Sequence, residues 1–508
     1  MTAPPSTGTT SLSVRATAPS PPPVAWIPVG SAALATVFVL SVTSGQYGYH
    51  RDELYFRMLR PAWGYVDQPP LTPLLARAAT AVFGDALWAM RVPAVACVAV
   101  AVLLTALTAR ELGGGPLAQG LAAWGFGFGG FPLVTGHVLL TATVDLAVWA
   151  AVILFVVRAL LRGEPRWWLA VGAVAGLSMF NKLLIVLPLL GLAVGLLAVG
   201  PRRLLRSPWL WGGVALALVL GSPNLVYQAT HGWPQISMAG AIARNKGEEA
   251  RILLLPFQLV LFGIPLTPVW VAGLVAVLRR PAWRPVRALA IAYLVVLVVT
   301  WMSGGQIYYP FGLLAFLFAA GCVAVAEWIA RGRLARSAVV GSALAINAVV
   351  SASIALPIVP VDILGRTPIP KINQTARDQV GWTVYVRTVL DVYDSLPAQD
   401  RARAVFLTDN YGEAGALSRY LDASLRRAVY SGQNELWNAG PPPQDSTVVV
   451  AWTQNLGWLS RLFATCEQRA GIDNGVDVDN DEQGGVVAVC RDPVGGWSAA
   501  WPRLQHYD

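Results

Sequence analysis

Apolar residues in this chain come in runs of about 17–25, the length that crosses the hydrocarbon core of a bilayer. Such runs recur near 24–44, 88–109, 116–134, 142–161, 166–180, 183–200, 209–229, 254–278, 288–303, 309–326 and 337–357. Within lipid, backbone amides must be satisfied by the segment itself, so these runs are expected to fold as about eleven transmembrane helices. Charged residues make up 13% of the 508 positions and hydrophobic residues 55%, with a mean hydropathy of +0.54. A soluble chain carries roughly a quarter charged residues. The fold class is a polytopic α-helical membrane protein.

The net charge of +9 does not point to nucleic acid. Before residue 361 the basic residues gather in short alternate loops, at Arg110, then Arg158/Arg162/Arg166, Arg202/Arg203/Arg206, Arg279/Arg280/Arg284/Arg287 and Arg331/Arg333/Arg336. Such a bias marks the cytoplasmic side. With an odd number of spans, the amino terminus is then cytoplasmic and the carboxyl tail extracytoplasmic, as in a multi-pass plasma-membrane protein. Residues 1–23 are rich in Ser, Thr and Pro with the single charge Arg15, and read as a disordered cytoplasmic tail ahead of an uncleaved anchor.

Residues 24–360 form the membrane domain, with a long first outer loop over 45–87 carrying two helical pieces, 50–60 and 70–83. Residues 230–253 and 303–310 are the other outer segments. From 361 to 508 the composition changes. Strand-like runs at 404–408 and 447–452 alternate with helical stretches at 375–396 and 412–428, the pattern of a small extracytoplasmic α/β domain. Cys466 and Cys490 in this tail can pair in an oxidising compartment, whereas Cys97 and Cys322 read as small buried hydrophobes. No Cys/His spacing suits a zinc site.

Seven acids of the membrane domain fall on the outer side: Asp52, Glu53, Asp67, Asp85, Asp145, Glu248 and Glu249. Cations join them there, among them Arg51, Arg91, Lys182, Arg244 and Lys246. A carboxylate at a lipid–water boundary can take a proton from an attacking hydroxyl, and cations or a metal can stabilise a departing phosphate. Asp52 and Glu53 are adjacent, so on a helix they diverge by about 100° and cannot both aim at one atom. One is then the base and the other structural or paired with Arg51. Each residue also has a plainer reading. The acidic pair can open an ordinary loop helix, and Asp67 can form an Asx turn before Pro69-Pro70. Lys182 can snorkel, Tyr308-Tyr309 can belong to an aromatic belt, and Arg244 and Lys246 can attract anionic headgroups.

Asp52-Glu53 after the first span, Gly64-Tyr65-Val66-Asp67-Gln68-Pro69-Pro70-Leu71, Arg91-Val92-Pro93 and Asn181-Lys182 together resemble the bacterial glycosyltransferase family 39 group of the GT-C superfamily. The group is similar to protein O-mannosyltransferases and the lipid A aminoarabinose transferase, and the likeness runs over roughly residues 24–357. It implies a sugar donor linked to polyprenyl phosphate and used at the outer face of the plasma membrane, with inversion at the anomeric carbon. It implies Asp52 as the catalytic base, with Glu53 beside it. By the same likeness Lys182, Arg91, Arg244 and Lys246 would bind the donor phosphate. Asp67, Asp145, His50, Tyr308 and Tyr309 would assist the acceptor or a divalent metal cation. The acceptor, a protein, lipid or glycan, stays open, since no β-trefoil insert is visible and the tail matches no module. The alternative is a transporter or flippase for a lipid-linked or anionic solute. It would need ionisable residues deep in mid-span and Gly/Pro-broken inverted repeats, and here the charges gather at one face.

Overall fold

The computed structural model describes residues 21–508, so the tail expected over 1–23 lies almost wholly outside the described residues. The membrane domain runs α1 (Trp26–Thr43), α2 (Arg51–Met58), α3 (Leu71–Phe83), α4 (Leu87–Glu111), α5 (Pro116–Gly127), α6 (Gly130–His137), α7 (Thr141–Leu161) and α8 (Trp167–Ser178). It continues through α9 (Val186–Val199), α10 (Pro208–Thr230), α11 (Pro234–Asn245), α12 (Gly247–Val260), α13 (Thr267–Arg279), α14 (Arg287–Ser303), α15 (Phe311–Ala330) and α16 (Arg333–Ala355). A helix or helix pair stands at each expected span. Seven are long and apolar enough to cross a membrane, and the pair α12 and α13, bent by 69°, makes an eighth if counted as one span. The shorter α8 and α9, and α5 with α6, account for the difference from the expected number.

The helix breaks are closed by side chains, as backbone buried from water requires. Asn347 of α16 donates Nδ2 to the carbonyls of Phe128 (3.1 Å) and Phe262 (2.9 Å), serving the α5–α6 and α12–α13 breaks at once. Asn224 of α10 donates to the Met179 carbonyl (2.7 Å) just past α8. Close helix approach comes from small residues. A Cβ on Gly172 of α8 would sit 2.0 Å from the Gly213 carbonyl oxygen of α10. Outward positions such as Ile27, Phe38 and Val219 stay exposed and apolar.

At one end of the bundle the arginine-bearing loops meet. Glu111 receives Arg158 (3.0 Å) and Arg162 (2.6 Å), and Arg280 pairs with Glu327 (2.8 Å). The first loop and the tail occupy the other end.

The tail holds a five-stranded mixed sheet of β1 (Ala404–Thr408), β2 (Val429–Ser431), β3 (Val448–Thr453), β4 (Phe463–Gly471) and β5 (Val486–Pro493), in the order β2-β1-β3-β5-β4. β1 runs parallel to β2 and β3, while β5 is antiparallel to β3 and β4. Side chains alternate between faces along each strand. Phe406, Val448, Val450, Trp452, Val487 and Val489 point to one face, and there they share a core with Tyr49, Leu54, Tyr55, Phe56 and Tyr65 of the first loop. Val405, Leu407, Val449 and Ala451 point to the other face, beneath Trp497 and Trp501. The tail is therefore packed onto the first loop as one apolar body. Cys466 and Cys490 stand directly opposite each other on β4 and β5 and form a disulfide.

Candidate active site

The loop helix α2 starts at His50, whose Nδ1 accepts from the Asp52 amide (3.2 Å) while its own amide donates to Glu53 Oε2 (2.9 Å). This N-cap sets the rotation of the helix, and rotation sends the two adjacent acids to different places. Glu53 turns into the protein with no exposed side-chain area, and Asp52 turns outward with 29%.

Glu53 meets Arg91 of α4 in a two-pronged pair, Nε to Oε1 and NH2 to Oε2, each 3.0 Å. Glu53 also accepts from the Leu139 amide (3.0 Å). Arg91 donates further to the carbonyls of Ser44 (2.9 Å) and Gly48 (2.7 Å) and to Gln379 Oε1 of the tail (3.0 Å). All three guanidinium nitrogens are engaged inside the protein, and its side chain is fully buried. The partner of Glu53 is thus Arg91 rather than Arg51. Arg51 pairs with Asp481 of the tail (2.6 Å) instead.

Asp52 opens into a cleft of ≈ 200 Å³ at the seam between the membrane domain and the tail. His50, Arg51, Leu140, Lys246, Asp378 and Tyr411 are among its walls. The Tyr411 hydroxyl donates to Asp52 Oδ1 (2.9 Å). Its ring packs against Tyr55 in a tilted pair with centres 4.7 Å apart, and the Tyr55 hydroxyl donates to Asp67 Oδ1 (3.1 Å). The two first-loop carboxylates are thereby joined through a tyrosine pair. Lys246 pairs with Asp508 across the cleft (3.5 Å). Burial pushes Asp378 up, against the pull of Arg51 and His50.

Lys182 and Asp145 form a second group at the α8–α9 break. The Lys182 ammonium reaches the Tyr308 hydroxyl (3.3 Å) and lies 5.5 Å from the Tyr309 ring centre. Asn181 donates to Asp145 Oδ1 (2.9 Å) and accepts from Thr72 of α3 (2.6 Å), tying the first loop to the break. The segment that carries Leu139 and Leu140 past the cleft continues into α7, where Asp145 sits, so one stretch of chain connects the two groups. Arg244 is exposed on α11 and outside the cleft lining. No three His, Cys, Asp or Glu side chains among the described residues gather in a way that could hold a metal ion. The divalent cation expected from the sequence therefore has no such cluster of ligands among the described residues.

Tyr411, Asp378 and Gln379 were not found from the sequence. They lie in the tail, where no motif singled them out. The available signal was only that Asp378 and Gln379 fall inside the helical stretch expected at 375–396 and Tyr411 just ahead of the one at 412–428.

Tail and loop touch closely because glycine lines the contact. A Cβ on Gly415 would sit 2.7 Å from Leu54 Cβ of α2. Gly415→Leu should therefore push the Tyr411–Tyr420 helix off the loop and cost about 1–3 kcal/mol. Thermal melting with limited proteolysis of the tail checks this, and a variant that melts and resists like the parent would contradict the packing.

Asp67 offers a pH signature. Burial pushes its carboxyl up to about 7, with the Glu435 and Asp52 charges adding to the effect. Folded Asp67 holds its proton more tightly than unfolded Asp67, so its stabilising contribution is whole below the ordinary carboxylate range and drains away as pH rises through 7. Asp67→Asn should lose less melting temperature between pH 5 and pH 8 than the parent. Equal losses would show that Asp67 ionises as an ordinary carboxylate.

The helical bundle, the two-helix first loop with an outward carboxylate, and the α/β tail seated over it together frame the site. Residues 67–227 match the dolichyl-phosphate-mannose-protein mannosyltransferase family, a segment that includes Asp67, Arg91, Asp145 and Lys182 and stops short of Asp52. Among solved structures the chain is similar to ArnT from Cupriavidus metallidurans bound to undecaprenyl phosphate, at 16% identity and a TM-score of 0.58, over 91% of this chain and 97% of that one. It is similar also to the apo state of the same protein, at 15% identity and a TM-score of 0.54 over the same shares. A weaker likeness, at 11% identity and a TM-score of 0.49, is to the Archaeoglobus fulgidus oligosaccharyltransferase, over 80% of this chain and 63% of that one. No curated protein matches the sequence. The resemblance to GT-C glycosyltransferases drawn from the first-loop motifs thus holds at the level of the fold, over nearly the whole chain.

Proposed function

We propose that this protein transfers a sugar from a polyprenyl-phosphate-linked donor to a hydroxyl acceptor at the outer face of the plasma membrane, with Asp52 as the base. The observation that carries the reading is the outward Asp52 carboxyl in a cleft also lined by Lys246. Its buried neighbour Glu53 is bound to Arg91 and has no route to a substrate. The undecaprenyl phosphate bound by ArnT and the family match over 67–227 support the donor class.

Asp52 takes the proton of the acceptor hydroxyl as that oxygen attacks the anomeric carbon. The carbon–oxygen bond to phosphate breaks on the opposite side, so the configuration inverts and polyprenyl phosphate leaves with the bond's electron pair. Lys246 lies in the cleft where it can meet the phosphate once Asp508 is displaced, and Lys182 supplies a second cation nearer the bundle. Arg91 is not available for this task, because its guanidinium is engaged internally. Asp145, Tyr308 and Tyr309 surround Lys182 and orient it.

The Cys466–Cys490 disulfide supports a tail in an oxidising compartment. Arginine-rich loops at the far end of the bundle support the same orientation.

The test is donor consumption by the protein in liposomes, supplied with a panel of labelled polyprenyl-phosphate sugars. Release of polyprenyl phosphate and an inverted anomeric centre in the product are expected. No consumption of any donor in the panel would defeat the enzyme reading.

A further inference from the structure

We infer that Tyr411, contributed by the tail, is a positioning residue for Asp52: its hydroxyl occupies one carboxylate oxygen and leaves the other to face the acceptor hydroxyl. This rests on the function proposed above.

The phenol is held from several directions. Its ring packs at a tilt against Tyr55, and the Arg51 guanidinium lies 5.0 Å from its centre. Its backbone amide donates to Gln433 Oε1 (2.7 Å). Gly412, the next residue, comes so close to α2 that a Cβ there would stand 2.8 Å from Arg51 Cβ. Among the described residues the hydroxyl's hydrogen-bond partner is Asp52. A side chain fixed this way costs little further entropy when it orients a carboxylate. The tail is then part of the reaction centre rather than a cover over it.

A hydrogen bond donated to a carboxylate favours its charged form, the form that accepts a proton. Other groups also face Asp52: His50 and Arg51 on its own helix, Lys246 between α11 and α12, and Asp378 and Asp508 from the tail. Asp67 stands behind the tyrosine pair. Removing the Tyr411 hydroxyl leaves all of these in place, so any shift in titration reports that one bond.

Tyr411→Phe keeps the ring and removes the donor. Expected are a kcat lower by about tenfold or more, a donor KM within about twofold of the parent, and an unchanged melting temperature. The acid limb of the kcat profile should move to higher pH. Fluorotyrosine at position 411, a stronger donor, should move it to lower pH. Unchanged kcat and limb in Tyr411→Phe would overturn the inference, as would a lower rate that comes only with a lower melting temperature and an unmoved limb. Isotope-edited infrared spectroscopy gives a readout without turnover, the Asp52 carboxylate band being the one lost in Asp52→Asn. If the wild-type protein consumes no donor, the function reading fails by itself. The infrared midpoint then still decides, upholding the Tyr411 contact if it rises in Tyr411→Phe and refuting it if it stays.

Discussion

Asp52→Asn should lower sugar transfer by about 10²–10⁴-fold, the usual range for loss of a general base, and leave the protein folded. An amide has the shape of the carboxyl but cannot take the acceptor's proton. Its oxygen can still accept from Tyr411, and its backbone amide still caps onto His50. The side chain is partly open to solvent and its ionic contact, to the His50 ring, is long at 3.9 Å, so stability has little to lose. Single-turnover transfer from a labelled donor, with melting curves beside it, reads both parts. A variant within about threefold of the parent rate, far below the loss of a base, would remove Asp52 from the chemistry.

The second large effect concerns the neighbouring acid. Glu53→Ala and Arg91→Ala should each destabilise the protein by about 3–5 kcal/mol, because each strands a fully buried charge. Glu53 anchors Arg91 and accepts from the amides of His50 and Leu139. Arg91 links α4 to the Ser44 and Gly48 carbonyls and to Gln379. The double variant should be less damaging than the two single effects added, since removing both partners leaves neither charge unpaired. Thermal unfolding in detergent tests the cycle. Single variants that melt with the parent would mean that the pair does not hold the loop. The contrast between two adjacent acids, one lost to chemistry and one to folding, is the sharpest expectation here.

Much of the membrane domain was legible from pattern alone. The apolar runs place the helices within a few residues, and the two first-loop helices fall at Arg51–Met58 and Leu71–Phe83 where they were expected. The strands at 404–408 and 447–452 are also close to their expected bounds. β2, β4 and β5 escaped; β2 is only three residues long, and β4 is mostly exposed and broken by a register shift between Gln468 and Ala470. Breaks such as Phe128-Gly129 escaped as well. An interrupted helix in lipid depends on a distant donor, here Asn347, and local hydropathy carries no record of it.

The sequence by itself determined a multi-helix membrane protein with acids and cations gathered at one end, because segment length and the cost of charge in lipid are local properties of the chain. It also required that Asp52 and Glu53 point apart, since helical rotation follows from adjacency. Which of them faces solvent was decided only by the tertiary structure. Burial and ion pairing depend on Arg91, 38 residues further along, and on the tail folding back over the loop. The same holds for Tyr411, which meets Asp52 across 359 residues, a contact that arises from packing two apolar faces together and leaves no periodic trace in either segment.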